Sequence, residues 1–412
     1  MRKYLWLVPV PCVVWLYFAM RGMMHALPPH PQLDLEVYRF GVQAWWDGKD
    51  MYGPLPPVAN GAHLPFVYPP FAALLLSPLA MLPWSAAVAT LYVLNWICMF
   101  GAVYLAARAV RPSLGRAGGV AVASVVLPLT VFLEPVTETF GFGQVSIIMM
   151  ALVAVDCLAG RTVWPRGFGI GLAAALKLTP AAFVLYFLIR RDYRSAIISA
   201  ITFGVATAIG FAADFGGSVT YWFRGGLNGG GVSGTAFKTN QAIEAVIVRT
   251  GLSGVAEKAV WLVLVLALLA VVVSAMRRAE PVLALLANAG LALLVSPTSW
   301  SHYYVWVVPA LVVMLAFAAR RAAERSWLAA VWLAWGVLTT VLFILAPFQN
   351  LPETDFPVVH RDWSLPEQLS AATYVLLGIA LLLAFAILRR KRPQPLDEPV
   401  TPARRPAGAA SP

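Results

Sequence analysis

Cysteine is scarce in this chain of 412 residues, which has only three. Cys12, Cys98 and Cys157 all lie within apolar runs, and none stands at a spacing typical of metal ligands. A disulfide framework needs paired cysteines in a secreted chain, and a structural zinc site needs clustered cysteine and histidine. The sequence therefore predicts neither disulfides nor a metal centre.

Charged residues are also rare, at 12% of the chain, whereas hydrophobic residues make up 60%. The apolar residues occur in runs that are too long for the core helices of a soluble globule. This composition predicts a polytopic membrane protein. The net charge of +11 does not indicate a nucleic-acid partner, because the basic residues cluster in short segments between apolar runs, as the positive-inside rule describes.

No internal repeat is visible, which weakens the case for a secondary transporter, because many transporters are built from paired halves.

A signal-peptide cleavage site is missing as well. The first apolar run, from Tyr4 to about Met20, follows Arg2 and Lys3 and continues into bulky Met23. Without a small-residue cleavage site, this run predicts an uncleaved membrane helix rather than a signal peptide.

Successive loops of a multi-pass protein are expected to lie on alternate sides of the membrane, and the segment 161–194 interrupts this alternation. Basic residues flank it at both ends, which places both ends inside. A helix broken at 177–180 resolves this, with halves of about 167–177 and 180–190 that enter the membrane and return. The alternative is a straight span with one end wrongly assigned.

Further apolar runs predict an even number of crossings with both termini inside. We expect an all-α integral membrane protein over residues 1–390, a polytopic bundle of about twelve membrane segments when the two halves are counted. The Pro- and Ala-rich tail, 391–412, is expected to be disordered and cytoplasmic. The polar segments on the outer face are then 22–65, 134–143, 214–255, 296–302 and 348–368.

The first outer segment contains two carboxylates one residue apart, Asp34 and Glu36. An amphipathic run at helical spacing predicts a helix that lies on the membrane face, with apolar positions at Tyr38, Val42, Trp45 and Trp46. Asp34 would lie near the start of that helix, where a carboxylate is electrostatically favoured. Asp34 is therefore either a functional acid or merely the helix N-cap.

The outer segment 214–255 is rich in glycine. Gly229, Gly231 and Gly234 match the GxGxxG spacing, but no strand is predicted before them and nucleotides are scarce on the outer side. A dinucleotide site is therefore not expected. The glycines instead favour a mobile loop that can admit a bulky substrate.

The same segment ends in a polar motif, in which Lys238, Asn240 and Gln241 precede an amphipathic run. A cation and two amides at a helix start can bind sugar hydroxyls or a phosphate. Capping of the helix by Thr239 or Asn240 is the alternative.

Two further ionisable residues stand at unusual places. Lys177 lies among apolar residues at membrane depth, where a cation needs a partner or water. It is either a phosphate ligand or a side chain that extends to the membrane surface. His302 follows Trp300 at the outer end of a helix and could donate a hydrogen bond to a leaving phosphate. An isolated histidine in the interfacial aromatic belt is the alternative.

Six short motifs carry a family resemblance. They are DLEVY at 34–38, GKDMY at 48–52, LPFVYPP at 64–70, LKLTP at 176–180, NQ at 240–241 and SPTSWSH at 296–302. In this order, and with this hydropathy, the chain resembles the actinobacterial polyprenyl-phosphate-mannose-dependent mannosyltransferases of glycosyltransferase family 87. The resemblance covers roughly residues 1–390.

This resemblance implies a membrane-embedded C-type fold and the transfer of mannose from polyprenyl phosphate mannose to a phosphatidylinositol mannoside, with inversion and an α-1,2 linkage. Asp34 matches the family's outer-loop acid and is expected to be the catalytic base, with His302 assisting the departing phosphate. No cofactor or nucleotide sugar is implied, and no His/Asp cluster requires a metal. The expected substrate contacts are Glu36, Tyr68, Lys177, Lys238, Asn240, Gln241 and Trp300.

Other functions stay open at this point. A lipomannan-branching mannosyltransferase and a decaprenyl-phosphoarabinose-dependent arabinosyltransferase share the pattern. A lipid flippase would suit the broken helix and Lys177, although a transporter is expected to place its charges near the membrane midplane, and a non-catalytic scaffold would leave Asp34 unexplained. We expect a multi-pass enzyme of the cytoplasmic membrane with lipid substrates, a periplasmic active site and no nucleic-acid partner.

Overall fold

The computed structural model describes residues 5, 7–26, 32–226, 236–352 and 363–388. Over these residues the chain is helical, without a β-strand, and one isolated antiparallel bridge joins Asn240 to Trp300. The predicted tail 391–412 and the glycine motif at 229–234 lie outside the described residues.

The α-helices of the described part follow one another closely along the chain. Short 3-10 turns adjoin some of them, at Pro112–Leu114, Thr179–Phe183, Ser301–Trp306 and Pro347–Asn350. The α-helices are α1 (Pro9–Ala26), α2 (Leu33–Trp46), α3 (Pro70–Met81), α4 (Trp84–Val110), α5 (Gly115–Thr130), α6 (Glu134–Phe142), α7 (Ser146–Leu158), α8 (Phe168–Leu176), α9 (Val184–Ile189), α10 (Tyr193–Ala213), α11 (Phe215–Phe223), α12 (Ile243–Arg249), α13 (Gly254–Met276), α14 (Pro281–Val295), α15 (Val307–Ala323), α16 (Leu328–Leu345), α17 (Leu365–Ala371) and α18 (Thr373–Leu388).

Six of the described helices, with their adjoining 3-10 turns, are long and apolar enough to cross a membrane: α4, α5, α10, α13, α15 and α16. Two bent pairs, α6 with α7 and α17 with α18, raise the number to 8 if each pair is one span. These helices make the chain a multi-pass membrane protein. They do not reach the expected count of about twelve segments, because several apolar stretches, such as α3 and α14, form helices too short to cross alone.

The apolar stretch that follows residue 65 forms the short helix α3. It begins at Pro70, where proline is tolerated because the first turn needs no intrahelical donor. Arg39 Nη1 donates to the carbonyls of Leu79 at 2.6 Å and Leu82 at 2.8 Å, near the end of α3. These bonds satisfy acceptors that a helix C-terminus leaves open. The Arg39 side chain thus joins α2 to the C-terminal end of α3.

The expected break in the 161–194 segment is confirmed. α8 ends at Leu176, Lys177 is extended with φ −153° and ψ 133°, and a new 3-10 turn begins at Thr179. Pro180 has no backbone N–H and clashes with a continuing helix, so it must lie in the first turn of a new element. The return of the two halves to one side of the membrane stays a prediction.

The helix predicted from residue 33 is present as α2, but its apolar face packs on protein rather than on the membrane. Tyr38 and Val42 are buried in a core shared with α3 and the preceding loop. Gly41 lets the Phe66 ring come close, since a Cβ there would lie 2.4 Å from Phe66 Cδ2. Only the far end remains open, where Trp46 is 46% exposed.

Candidate active site

α2 presents Asp34 in its first turn. The N-cap is Gln32, which has a left-handed φ of 40° and donates its backbone N–H to Gly141 O at 3.1 Å. The Asp34 side chain is directed elsewhere, and its Oδ2 accepts from Gln144 Nε2 at 2.5 Å. The alternative that Asp34 is merely the N-cap is therefore wrong.

Gln144 is buried and held in one orientation. Its Oε1 accepts from the Tyr38 hydroxyl at 3.1 Å, and that hydroxyl lies 3.0 Å from the Tyr68 hydroxyl. Its backbone carbonyl accepts from Asn95 Nδ2 at 3.0 Å. With Oε1 accepting, the other end of the amide must donate, so the network directs an N–H to Asp34.

Lys177 lies beside this network, at the break after α8. Its Nζ donates a hydrogen bond to the Tyr303 hydroxyl and lies 5.3 Å from the centroid of the Tyr68 ring. The side chain is half-buried and faces other side chains of the protein. This position favours a cation that serves the site over one that extends to the membrane surface. The ammonium is also close enough to affect the pKa of Asp34.

The Asp34 carboxyl has a perturbed pKa. Burial raises this pKa to about 6, while the hydrogen bond from Gln144 and the charge of Lys177 oppose the rise. Burial disfavours the ionised form, and donors or cations favour it. The carboxylate is therefore mostly ionised at neutral pH, yet it is a stronger base than a solvent-exposed aspartate.

His302 lies in the 3-10 turn that leads into α15. Its ring packs 5.3 Å from the Phe142 ring and 4.7 Å from the Tyr303 ring, and only 6% of the residue is exposed. Thr139 Oγ1 donates to the His302 carbonyl at 3.1 Å. Within the described part of the chain, Nε2 has no hydrogen-bond partner. The ring is thus a buried group of this region rather than a member of an interfacial belt.

These side chains combine two chemical capacities. Asp34 can accept a proton, and Lys177 with the unpartnered nitrogen of His302 can stabilise an anion nearby. The residues that the structure describes contain no cluster of three His, Cys, Asp or Glu side chains that could hold a metal ion.

Comparison with known proteins identifies the family. A model described as glycosyltransferase family 87 matches residues 66–297, more than half of the chain. A polyprenol-phosphate-mannose-dependent alpha-(1-2)-phosphatidylinositol mannoside mannosyltransferase of Mycobacterium tuberculosis is 35% identical, over 98% of this chain and 96% of its own length. The chain belongs to glycosyltransferase family 87. A Mycolicibacterium smegmatis protein of the same description is 35% identical, over 95% of this chain and 92% of its own length.

More distant likenesses accompany these. A pentamannoside mannosyltransferase of Mycobacterium tuberculosis, with the same donor in its description, is 29% identical over 80% of this chain and 74% of its own length. The crystal structure of ArnT from Cupriavidus metallidurans, bound to undecaprenyl phosphate, has a TM-score of 0.42 and 15% identity, over 93% of this chain and 78% of that one. Membership of family 87 confirms the resemblance found in the sequence, and it makes the chain a glycosyltransferase.

Two residues expected to contact substrate in this family 87 enzyme bond to the backbone instead. Lys238 Nζ donates to the carbonyls of Gln349 at 3.0 Å and Leu351 at 2.7 Å. Asn240 is fully buried, and its Oδ1 accepts from Ser299 N at 2.9 Å. Apart from the short bridge between Asn240 and Trp300, these irregular segments have no ladder partners for their carbonyls and amides, so side chains satisfy them. The contacts favour a structural role over substrate contact.

Gln241 has the same character. Its Nε2 donates to the carbonyls of Lys238 and Ala371, both at 2.8 Å, and its Oε1 accepts from Tyr374 N at 3.1 Å. The N-cap of the following helix, α12, is Ala242, and no side chain caps it. Capping by residue 239 or 240, the alternative drawn from the sequence, is therefore wrong.

Glu36 and Trp300 also have other partners. Glu36 Oε2 accepts from the backbone N–H of Ala59 at 2.8 Å, which ties the loop after α2 back onto that helix. The Trp300 ring packs 5.7 Å from the Phe237 ring, and its backbone pairs with Asn240. Trp300 thus orients the turn that carries His302, whereas Glu36 holds a loop.

Two members of the Asp34 cluster were not predicted from the sequence. Gln144 directly follows the polar segment 134–143, and Tyr303 directly follows His302. A signal for Gln144 existed: it is an amide two positions before the apolar helix α7, and a buried amide needs partners. For Tyr303 there was none, because its partner Lys177 lies 126 positions away in the chain.

Proposed function

We propose that this family 87 member transfers mannose from polyprenyl phosphate mannose to a mannosylated phosphatidylinositol lipid and forms an α-1,2 linkage. The two relatives at 35% identity, which align along almost their whole length, are described with this donor, acceptor and linkage. The structural observation that carries the proposal is the cluster that brings Asp34 and Lys177 to one region. Gln144 holds Asp34 and bonds to Tyr38, whose hydroxyl lies 3.0 Å from that of Tyr68, and Lys177 Nζ lies 5.3 Å from the centroid of the Tyr68 ring.

The proposed reaction is a single displacement with Asp34 as general base. An acceptor hydroxyl gives its proton to Asp34, through the carboxylate oxygen that Gln144 does not occupy, while the hydroxyl oxygen bonds to the anomeric carbon. The bond between that carbon and the phosphate oxygen breaks, and its electron pair stays on the phosphate. One displacement inverts the configuration, so a β-mannosyl phosphate gives an α-mannoside.

The leaving phosphate gains negative charge as the glycosidic bond breaks. Lys177 supplies a fixed cation for it, held between the Tyr303 hydroxyl and the Tyr68 ring. His302 Nε2 can donate a further hydrogen bond to the phosphate. Donors fixed in place before the reaction stabilise the transition state without a cost of reorganisation.

The distribution of basic residues supports a periplasmic site on the cytoplasmic membrane. Arg277 and Arg278 follow α13, and α14 then leads away from this turn to the segment that carries His302. α15 runs back from His302 to Arg320 and Arg321. By the positive-inside rule, the basic turns are cytoplasmic and the Asp34 cluster lies at the opposite end. With the short and bent helices counted, this topology is that of a C-type fold of about twelve membrane segments.

Purified protein, synthetic polyprenyl phosphate mannose and a phosphatidylinositol tetramannoside test the proposal. We expect a product that gains one hexose, with an α-1,2 linkage by mass and linkage analysis. Transfer from polyprenyl phosphoarabinose instead would redirect the proposal to an arabinosyltransferase. No transfer to any mannoside acceptor would overturn it.

A second candidate differs in the acceptor. The relative at 29% identity acts, by its description, on a phosphatidylinositol pentamannoside. Assaying tetra- and pentamannoside acceptors side by side separates the two. We expect the tetramannoside to be used with the higher kcat/KM, because the relatives without the pentamannoside in their description align over more of both chains.

A further inference from the structure

The turn between α6 and α7, which carries Gln144, is held on one side by α4. Asn95 Nδ2 donates to the Gln144 carbonyl at 3.0 Å. The Tyr92 hydroxyl donates to the Phe140 carbonyl at 3.1 Å, and the centroids of these two rings lie 5.0 Å apart. Residues three apart are neighbours on one face of a helix, so Tyr92 and Asn95 contact the turn together.

The start of α2 holds the same turn on its other side. Gly143 has a left-handed φ of 71°, and a Cβ at this position would lie 2.9 Å from Leu35 Cβ. Only glycine allows this conformation and this close approach without strain. Gln32, the N-cap residue of α2, donates its Nε2 to the Tyr92 hydroxyl at 3.1 Å. Tyr92 therefore joins the helix that carries the carboxylate to the turn that carries the amide.

Asn95 is an unfavourable residue at its place in α4 unless its amide has a role. It lies eleven residues after Trp84, which is about 16 Å along the helix, and it is 1% exposed. Its Oδ1 has no hydrogen-bond partner among the residues that the structure describes. A buried polar atom without a partner is destabilising, and an apolar side chain of similar size would avoid this loss. Stability therefore does not explain the amide, whereas its bond to the turn does.

We propose that α4 positions the catalytic base, with Asn95 and Tyr92 as positioning residues that hold Gln144 against Asp34. The inference rests on the proposed function. The bond to the Gln144 carbonyl fixes the backbone from which the amide side chain reaches Asp34 Oδ2. The amide then occupies one carboxylate oxygen and leaves the other for the acceptor hydroxyl. Groups that hold a reacting side chain in place need such support from the residues around them.

Two variants each remove one of these contacts with little change in side-chain size. Asn95→Leu removes the donor to the Gln144 carbonyl, and Tyr92→Phe removes the hydroxyl but keeps the ring. Thr130→Val is the matched control for the loss of a buried hydroxyl, because Thr130 is 1% exposed and its Oγ1 donates to the Leu127 carbonyl at 2.7 Å within its own helix, α5. The assay measures kcat/KM for mannose transfer against pH, in detergent, for each variant alone and combined with Gln144→Leu.

We expect Asn95→Leu to move the acidic limb of the kcat/KM profile to higher pH. Below a pH of about 6, kcat/KM should fall by about threefold to tenfold, which corresponds to a rise of about half a unit to one unit in the pKa of Asp34. Tyr92→Phe should cause a smaller shift in the same direction, and Thr130→Val should cause none. A loss of stability alone would lower the amount of active enzyme and leave the limb in place.

The combined variants test whether the two residues act through the amide. If they do, neither Asn95→Leu nor Tyr92→Phe shifts the limb further once Gln144→Leu is present, because effects that share one partner do not add. The other titratable groups near the Asp34 carboxyl are unchanged in all of these variants: Lys177, Tyr38, Tyr68 and Tyr303.

Two results would overturn the inference. One is an acidic limb that stays in place in well-folded Asn95→Leu, and the other is a shift that adds in full to that of Gln144→Leu. If Asn95→Leu does not accumulate as folded protein, Tyr92→Phe and its combination with Gln144→Leu decide the question by the same two criteria.

Infrared titration separates this inference from the proposed function. The carboxyl band of Asp34, taken as the difference between each protein and its Asp34→Asn counterpart, reports the pKa of this group without substrate. We expect a higher pKa in Asn95→Leu than in wild type. The same rise in a protein whose wild type transfers no mannose would defeat the proposed function but keep the positioning of Gln144. Transfer by wild type, with an equal pKa of Asp34 in wild type and Asn95→Leu, would do the reverse.

Discussion

Two polar clusters meet along the segment 296–306 and use similar residue types in opposite ways. In the Asp34 cluster, side chains bond mainly to one another. One set of bonds starts at the acid Asp34 and passes through Gln144, and a separate bond joins the cation Lys177 to Tyr303. In the joint formed by Lys238, Asn240 and Gln241, side chains bond to backbone carbonyls and amides.

This difference distinguishes side chains that can react with a substrate from side chains that stabilise the fold. A side chain that satisfies buried backbone groups cannot turn to a substrate without leaving those groups unpaired, which is costly. A carboxylate held through one oxygen, or an imidazole with an open nitrogen, can still take a partner. The polar residues of a family motif can therefore be catalytic or structural. Their hydrogen-bond partners, rather than their residue types, show which role each has.

The largest expected effect comes from Asp34→Asn. Asn keeps the size of the side chain but cannot accept a proton at neutral pH, so transfer should fall by roughly two to four orders of magnitude. Donor binding and expression should stay near wild type. The measurement is the initial rate with radiolabelled donor. Retained transfer would remove Asp34 as the base and direct attention to Glu36 or to the two acids of α6, Glu134 and Glu138.

His302→Ala should have the next largest effect. Loss of a donor to the developing phosphate charge should lower kcat by about a hundredfold, with a smaller change in KM. Saturation kinetics measure both. Near-normal kcat would show that the buried ring serves packing against Phe142 and Tyr303 only.

Gln144→Leu should shift the pH profile. Asp34 acts as a base only when ionised, so wild-type kcat/KM should fall as the pH drops through about 6. The hydrogen bond from Gln144 lowers the pKa of Asp34. Removal of this bond raises the pKa of Asp34 and moves the acidic limb of the kcat/KM profile to higher pH. At low pH, kcat/KM should fall by about tenfold for each unit by which the pKa rises. A limb that stays in place would refute the role of Gln144 as a positioning residue.

Gln241→Leu should give the opposite outcome, since Gln241 belongs to the joint. The variant removes the hydrogen bonds that Gln241 makes to two carbonyls and one amide, and only the Ala371 carbonyl keeps a second donor, Arg249 Nη2. The free energy of unfolding should therefore fall by about 1–3 kcal/mol. Thermal unfolding in detergent measures this loss. Transfer per folded molecule and its pH profile should match wild type; a selective loss of kcat would place Gln241 in the reaction instead.

Labelling of introduced cysteines tests the side of the membrane on which the Asp34 cluster lies. The cysteine substitutions themselves should not change transfer activity. Asn60 and Ser113 are both exposed, in the loop after α2 and in the turn between α4 and α5. In intact cells, Asn60→Cys should react with an impermeant thiol reagent and Ser113→Cys should not. The reverse pattern would place the cluster on the cytoplasmic side.

Several features of the molecule could be predicted from the sequence. Apolar runs predicted the membrane helices, the Thr179–Pro180 pair marked the broken helix, and the short motifs indicated the family. These are local properties, because helix hydropathy and proline sterics act over a few residues. Hydropathy alone does not decide the count of about twelve segments, since helix length depends partly on packing against neighbours.

The sequence by itself determined the class of the protein, the position of Asp34 in the first turn of a helix, and the break beside Lys177. Tertiary structure alone decided which polar residues join Asp34. Gln144 lies 110 positions from Asp34, and Tyr303 lies 126 positions from Lys177. Hydrogen bonds between such distant side chains depend on how the helices pack, and no periodicity or spacing in the sequence encodes them. The same packing directed Lys238, Asn240 and Gln241 to the backbone, because their own irregular segments had carbonyls and amides to satisfy.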